Sequence, residues 1–494
     1  MDKQQKNFLI LVITTVVILA IGLLVPNNIA MLLSVVYFTI VTWLKPKLLL
    51  PMLIIYFPLR PFLVEINDGL NLAGDIGILI LVVKVLFDAV KQKEYKSIFK
   101  LEWYEWAYLF FCAVGAISAL FTGVTLVAIV FQLRKFLVMY LLYYGLKRLT
   151  WERQEIIILL KLITGVALVL ILHGFVEKLS QRQWLLPQAW AELFISPTNA
   201  ERIYGLIGNP NSLGLFMFVS IVASFILLRT THQKRWYIPL ILSVGTLLLT
   251  LSRGTWIGIF IAGLVFLIIS KKKGLLKQVF IAGIAGYVLV FLPIDYADQM
   301  ISSALKDEPQ TESEDEVKEE NDGGGSLSDR ISSSINKETV NRSTNTGRLF
   351  YIKKGFEVLK DYPVIGTGFG TFGDSAALVY SSPIYDDYGL ANIYEYRDKG
   401  GFYSDNQYIQ IMVQTGIIGT ILFAIFLLNM LYRIWTARKV NRDVANVAIL
   451  FWLFICIVGA VYNIWENQVF PMFFFALIAF LEIAKKRING KSRN

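Results

Sequence analysis

The sequence predicts an all-α polytopic membrane protein with about fourteen transmembrane helices and one large extracytoplasmic loop that carries an amphipathic helix. Three observations predict it. Of the 494 residues 55% are hydrophobic, and the mean hydropathy is +0.57, far too apolar for a soluble chain of this size. The apolar residues gather into runs long enough to cross a bilayer. Between the runs, Lys and Arg stand in short clusters that all fall on one side once the spans alternate.

The first run, Phe8 to Val25, follows MDKQQK and ends without a small-x-small cleavage pattern, so it reads as a retained helix. Further spans are expected at 29–44, 48–64, 72–90, 104–122, 124–146 and 155–176. After a polar connection come 211–228, 236–251, 255–270 and 275–293, and beyond the large loop 407–432, 444–462 and 469–483. This divides the chain into membrane helices over 1–293, the loop over 294–404, and membrane helices with a basic tail over 405–494.

With these spans, Lys45/Lys47, Lys91/Lys93/Lys96, Lys147/Arg148, Arg229/Lys234/Arg235, Lys271–Lys273, Arg433/Arg438/Arg442 and Lys485–Arg487 share one face. That face is expected to be cytoplasmic, with both termini, in a bacterial plasma membrane. The net charge of +10 therefore does not point to nucleic acid, because the cations follow no groove. Two cysteines inside apolar runs and two histidines suggest neither a disulfide framework nor a metal centre.

The loop has two parts. Between Asp307 and Asp322 nine acidic residues face one lysine, and glycines and serines follow, so 306–346 is expected to be flexible. The second part, 347–404, is expected to be ordered. In it Leu349, Phe350, Ile352, Phe356 and Leu359 recur at helical spacing until Pro363, which predicts an amphipathic helix near the outer leaflet. The glycines of VIGTGFGTFG, Gly366, Gly368 and Gly370, follow a helix rather than a strand. They read as a turn for close backbone packing, not a cofactor site.

At Asp405 to Gly419 the chain passes from water to lipid, and there Asp405 is a candidate general base or a helix N-cap. Arg202, Arg253 and Arg348 lie at the outer boundary, where each guanidinium offers a fixed fork of donors to phosphate oxygens. Taken singly, each also fits a side chain snorkelling to water. Arg134 lies inside an apolar run, where a charge costs roughly 2.5–3.5 kcal/mol on insertion, so it should face a partner or a polar cavity. Its neighbour Lys135 either shares that role or is a bland pair-mate.

ERIYGLIGNPNSLGLFM, TLSRGTWIG, TGRLFYIKKGFEVLKDYPVIGTGFGTF and SDNQYIQIMVQTGIIG, in this order around a large outer loop, resemble the O-antigen ligase and polymerase superfamily. Ligases of that family usually have His followed by Asn or Ser where this sequence has Asp405 and Asn406. The imidazole base is therefore absent, and the chain is closer to polymerase-like members of Gram-positive bacteria, such as those making teichuronic acid. The resemblance implies metal- and cofactor-independent glycosyl transfer from undecaprenyl-pyrophosphate-linked oligosaccharide at the outer face. It would place Asp405 as base and Arg253 and Arg348 on the pyrophosphate. Arg134 and Arg202 would support them, with Asn406, Asn209 and Asn211 toward the substrate. Two other classes compete: a lipid-linked oligosaccharide flippase, which commonly shows related halves, and a scaffold that recruits other polysaccharide assembly proteins. No clear internal repeat is seen.

Overall fold

In lipid, backbone N–H and C=O groups must be satisfied within their own segment, and the apolar runs accordingly become helices. The computed structural model describes residues 3–193, 195, 197–271, 273–306, 348–390 and 406–491. The long helices are α1 (Lys3–Leu24), α2 (Asn27–Leu44), α3 (Leu49–Ile66), α4 (Ala73–Lys91), α5 (Trp103–Phe121), α6 (Leu126–Leu146) and α7 (Arg153–Leu179). Next come α8 (Pro210–Thr231), α9 (Tyr237–Leu249), α10 (Arg253–Ser270) and α11 (Lys273–Gly286). A π-type turn at Tyr287–Phe291 joins α11 to α12 (Leu292–Lys306). After the loop helix α13 (Arg348–Asp361) follow α14 (Gln407–Ala437), α15 (Arg442–Val458) and α16 (Val469–Lys491).

Among the described residues, 11 helical runs are long and apolar enough to cross a membrane, as an all-α polytopic membrane protein requires. The other three expected spans coincide with α9 (13 residues), α15 (17 residues) and α16, whose second half carries Glu482, Lys485 and Lys486. The span expected to stop at Pro293 continues to Lys306, because proline is tolerated in the first turn of the new segment α12. The acidic stretch expected to be flexible lies outside the described residues from 307 onward, and so does Asp405.

Contacts between helix ends sort into two sets. At one end, the basic end, Lys47 meets Glu155 at 2.9 Å, Arg433 meets Glu102 at 2.7 Å, Arg438 reaches the Ile269 carbonyl, and Arg148 reaches that of Ser97. At the opposite end, the loop end, the described residues of the loop, 348–390, pack onto α5, α6 and α14, while 347 and 391–404 of the part expected to be ordered lie outside the described residues. The core between them is aromatic. Trp465, 1% exposed, is enclosed by Phe423, Phe426, Phe474 and Phe475 with centroids 5.5–6.1 Å away.

The amphipathic helix forms as α13, but its packed face is Tyr351, Gly355 and Val358, set against Ile409 and Val413 of α14. Leu349 and Phe356, expected on the apolar face, stay largely exposed. Gly355 decides this: a Cβ there would stand 2.5 Å from Ile409, so the close approach is made on the glycine side.

Candidate active site

The loop end is organised by the last part of the connection between α15 and α16, Asn463-Ile-Trp-Glu-Asn-Gln468. Trp465 plugs it into the aromatic core, so the polar residues that follow are carried inward and must find partners there. Each finds a different one. Glu466 accepts from Gln132 and Lys135 of α6, both at 2.8 Å, and from Gln410 of α14 at 2.5 Å. Asn467 caps α16 through Val469 N and donates to Ser212 of α8 at 2.7 Å. Gln468 accepts from Arg60 of α3 and donates to Asp75 of α4 at 3.3 Å.

Arg134 and Lys135 lie about 12 Å along α6 from its first residue, at 1.5 Å per residue. Lys135 is closed in by Glu466 and Ser375. Arg134 turns to Asp75, with Nη1 3.3 Å from Oδ2 and the guanidinium over Phe131 at 5.4 Å. This second group is incompletely bonded: among the described residues, Arg134 Nε and Asp75 Oδ2 are buried without a hydrogen-bond partner.

A third group forms where the 199–211 connection meets the tight turn between α9 and α10. Arg202 Nε donates to the Thr250 carbonyl at 2.8 Å, Nη1 to Asn199 at 3.1 Å and Nη2 to Asn211 Oδ1 at 2.7 Å. The same Asn211 oxygen accepts from Ser252 Oγ at 2.8 Å, immediately before exposed Arg253. Arg253 is the first residue of α10.

The glycine turn packs backbone against backbone. α14 is broken at Gly416, whose φ of 59° and ψ of −162° leave the helical region. The freed groups are taken up by the loop: Thr367 N donates to Val413 O, Gly368 N to Gln414 O, Ile417 N to Pro363 O and Ile418 N to Val364 O, at 2.8–3.1 Å. A Cβ on Gly366 or Gly416 would lie 2.5 Å from the other strand's backbone, and one on Gly368 only 2.0 Å from Ala119 N. The next residue, Phe369, enters the bundle, donates to the Gly115 carbonyl and stacks on Phe136.

Below this turn Asp374 is fully buried. It accepts from Gly370 N at 2.9 Å, from Ala377 N at 2.6 Å and from Gln414 Nε2. Burial, and after it the Glu466 carboxylate, raise its pKa.

Of the residues expected at a site, Arg202, Asn209, Asn211 and Arg253 come together. Asn209 caps α8 through Asn211 N and Ser212 N. Arg134 stands on the neighbouring group, linked to it through Asn467 and Gln468. Asn406 caps α14 through Tyr408 N and Ile409 N, so the cap considered for Asp405 belongs to the next residue. Arg348 begins α13; its side chain, like Asp405, lies outside the described part. The residues that sequence reasoning missed are Arg60, Asp75, Asp374, Glu466 and Gln468. Gln407, Gln410 and Gln414, on one face of an otherwise apolar helix, were the available signal.

Fold and site define a polytopic membrane protein whose cationic and carboxylate side chains converge at one end, beneath a loop threaded into a broken helix. Residues 238–424 match the family model described as O-antigen ligase, which supports the O-antigen ligase/polymerase superfamily for this region. Membrane glycan processing of the ligase or polymerase type follows, in a family of glycosyltransferase-like membrane enzymes. No curated protein matches the chain. The matched region holds Arg253, Arg348, Asp405 and Asn406; Arg134, Arg202, Asn209 and Asn211 precede it.

Proposed function

We propose that this protein polymerises undecaprenyl-pyrophosphate-linked oligosaccharide repeats into a cell-surface polysaccharide such as teichuronic acid, a capsule or an exopolysaccharide. The loop end faces outward from a bacterial plasma membrane and the basic end faces the cytoplasm. The observation that carries the reading is the junction at Asn211, which joins Arg202 to the turn bearing Arg253 although the two arginines are far apart in sequence.

In the reaction, the bond between the donor sugar's anomeric carbon and the pyrophosphate oxygen breaks, and a bond to the acceptor hydroxyl oxygen forms. Negative charge grows on the pyrophosphate as it leaves. Arg253 and Arg348 bind it there, with Arg202 and Arg134 in support; fixed guanidinium groups supply this charge without a metal. Asp405 takes the proton of the acceptor hydroxyl, and Asn406 holds the start of α14 beside it. Asn209 and Asn211 fix the arginine-bearing turn.

The test is the size distribution of surface polysaccharide and lipid-linked intermediates in a strain lacking the protein, complemented by wild type or by Arg253→Ala. Single repeats accumulating on lipid in the outer leaflet are expected in the Arg253→Ala strain, with membrane insertion preserved. Long chains left on lipid would make the protein a ligase, which uses the same chemistry on another acceptor. Intermediates trapped on the cytoplasmic face would make it a flippase.

A further inference from the structure

The basic end does more than collect positive charge. Three clusters distant in sequence, around Lys96, Lys147/Arg148 and Lys486, meet in one cleft beside the short helix Tyr95–Ile98. Its outer part is a shallow depression of about 570 Å³. Its inner part, about 100 Å³, is lined by Lys100, Lys147, Arg148 and Lys486, with Glu102 and Glu482 as the acidic members.

The acids are already engaged. Arg433 binds Glu102 at 2.7 Å and Glu482 at 3.2 Å, while Lys147 is held by buried Glu105 behind the pocket. Arg148 is pinned differently. It donates to the carbonyls of Tyr144, Ser97 and Ile98 at 3.0–3.2 Å and stacks on the Tyr144 ring at 3.6 Å. Among the described residues, no carboxylate pairs with Lys100, Arg148 or Lys486 within 4.0 Å. Three like charges are thus brought to one concave place, one of them immobilised, and an anion between them relieves their repulsion.

The surroundings indicate depth. Tyr95 is 54% exposed, Phe99 74% and Trp103 82%, all within the chain segment that forms the cleft's wall. Exposed aromatics at the end of a membrane helix mark the headgroup layer. A basic pocket between helices at that depth suits a phosphate-bearing headgroup.

We propose that this cleft binds a phosphate group between Lys100, Arg148 and Lys486, and that an anionic phospholipid supplies it. A free phosphate ion has the same chemistry and is the other possible source. The site is separate from the glycan-processing end and does not depend on the function proposed for it.

Full-length protein purified in detergent, with phosphatidylglycerol added, tests this by native mass spectrometry. Wild type should retain the lipid, and the double variant Lys100→Gln/Lys486→Gln should retain roughly tenfold less or lower still. Both lysines are exposed, so the variant should fold. Lys439→Gln/Arg442→Gln removes the same charge from exposed positions at the same end and should retain lipid as wild type does. Equal retention by the Lys100/Lys486 variant, or an equal loss in the control, overturns the proposal. The source is read from thermal unfolding in phosphatidylcholine nanodiscs. Stabilisation by included phosphatidylglycerol but not by inorganic phosphate assigns the lipid. Stabilisation by inorganic phosphate that vanishes in the Lys100/Lys486 variant assigns the ion. No shift with either rejects the site.

Discussion

Arg134 and Lys135 are consecutive residues at the same depth of the same helix, yet their surroundings differ. Lys135 is closed in by Glu466, whose carboxylate is also bonded by two glutamines. Arg134 faces Asp75 across 3.3 Å, and each keeps a buried atom with bonding capacity unused. Depth and charge, the properties a sequence displays, do not separate the two. Remaining hydrogen-bond capacity does: Lys135 is bonded to Glu466 and Ser375, whereas Arg134 Nε and Asp75 Oδ2 keep theirs.

The contrast can be broken most sharply at Glu466. Glu466→Ala leaves partly buried Lys135 without its ion-pair partner, and buried Gln132 and Gln410 without theirs, and should cost about 3–5 kcal/mol, read from denaturant or thermal unfolding of the purified protein. Replacing both partners, Lys135→Met with Glu466→Leu, should recover the part of that loss that comes from the unpaired lysine, not the part from Gln132 and Gln410, and keep activity. A double variant that folds but makes no polymer would move Lys135 into the site.

Arg134→Met should do the reverse. Polymer synthesis from lipid-linked repeats should fall by about ten- to a hundredfold, as expected for a lost charge-assisted contact, and because Arg60 keeps a positive charge beside buried Asp75 the stability loss should be smaller than for Glu466→Ala. An unchanged rate with a large stability loss would place Arg134 in the framework after all.

Asp374→Asn should have the smallest effect, visible in pH dependence. A carboxyl whose native pKa is raised contributes stability that is fully present below its unfolded pKa of about 4 and is lost as pH rises through the native value. Wild type should therefore lose stability over that window, and Asp374→Asn should flatten the profile of melting temperature against pH. Identical slopes in the two proteins would show that another group carries the dependence.

The fold was largely legible because hydropathy and charge clustering are local properties. All fourteen expected runs coincide with helices, and discrepancies are confined to short or charged segments such as α9 and α16. The site was legible only in part. Arg202 and Arg253 stood out as charges at apolar boundaries, and the glycines of VIGTGFGTFG announced the close backbone approach that Gly366 and Gly416 make. Glu466 and Gln468 gave no such sign. They sit in the connection between α15 and α16, and their partners lie as far as 408 positions away in sequence. Asp374 was equally hidden, because burial inside a loop depends on what the loop packs against.

The break in α14 has a consequence for biogenesis. The ribosome makes residues 363–368 before α14, so the segment that completes the helix exists first and waits for its counterpart. When α14 enters the translocon, Val413, Gln414, Ile417 and Ile418 carry backbone groups that only the earlier segment satisfies. The break at Gly416 is therefore finished by docking rather than by insertion, and a chain stalled between the two events would hold a membrane helix with an open seam.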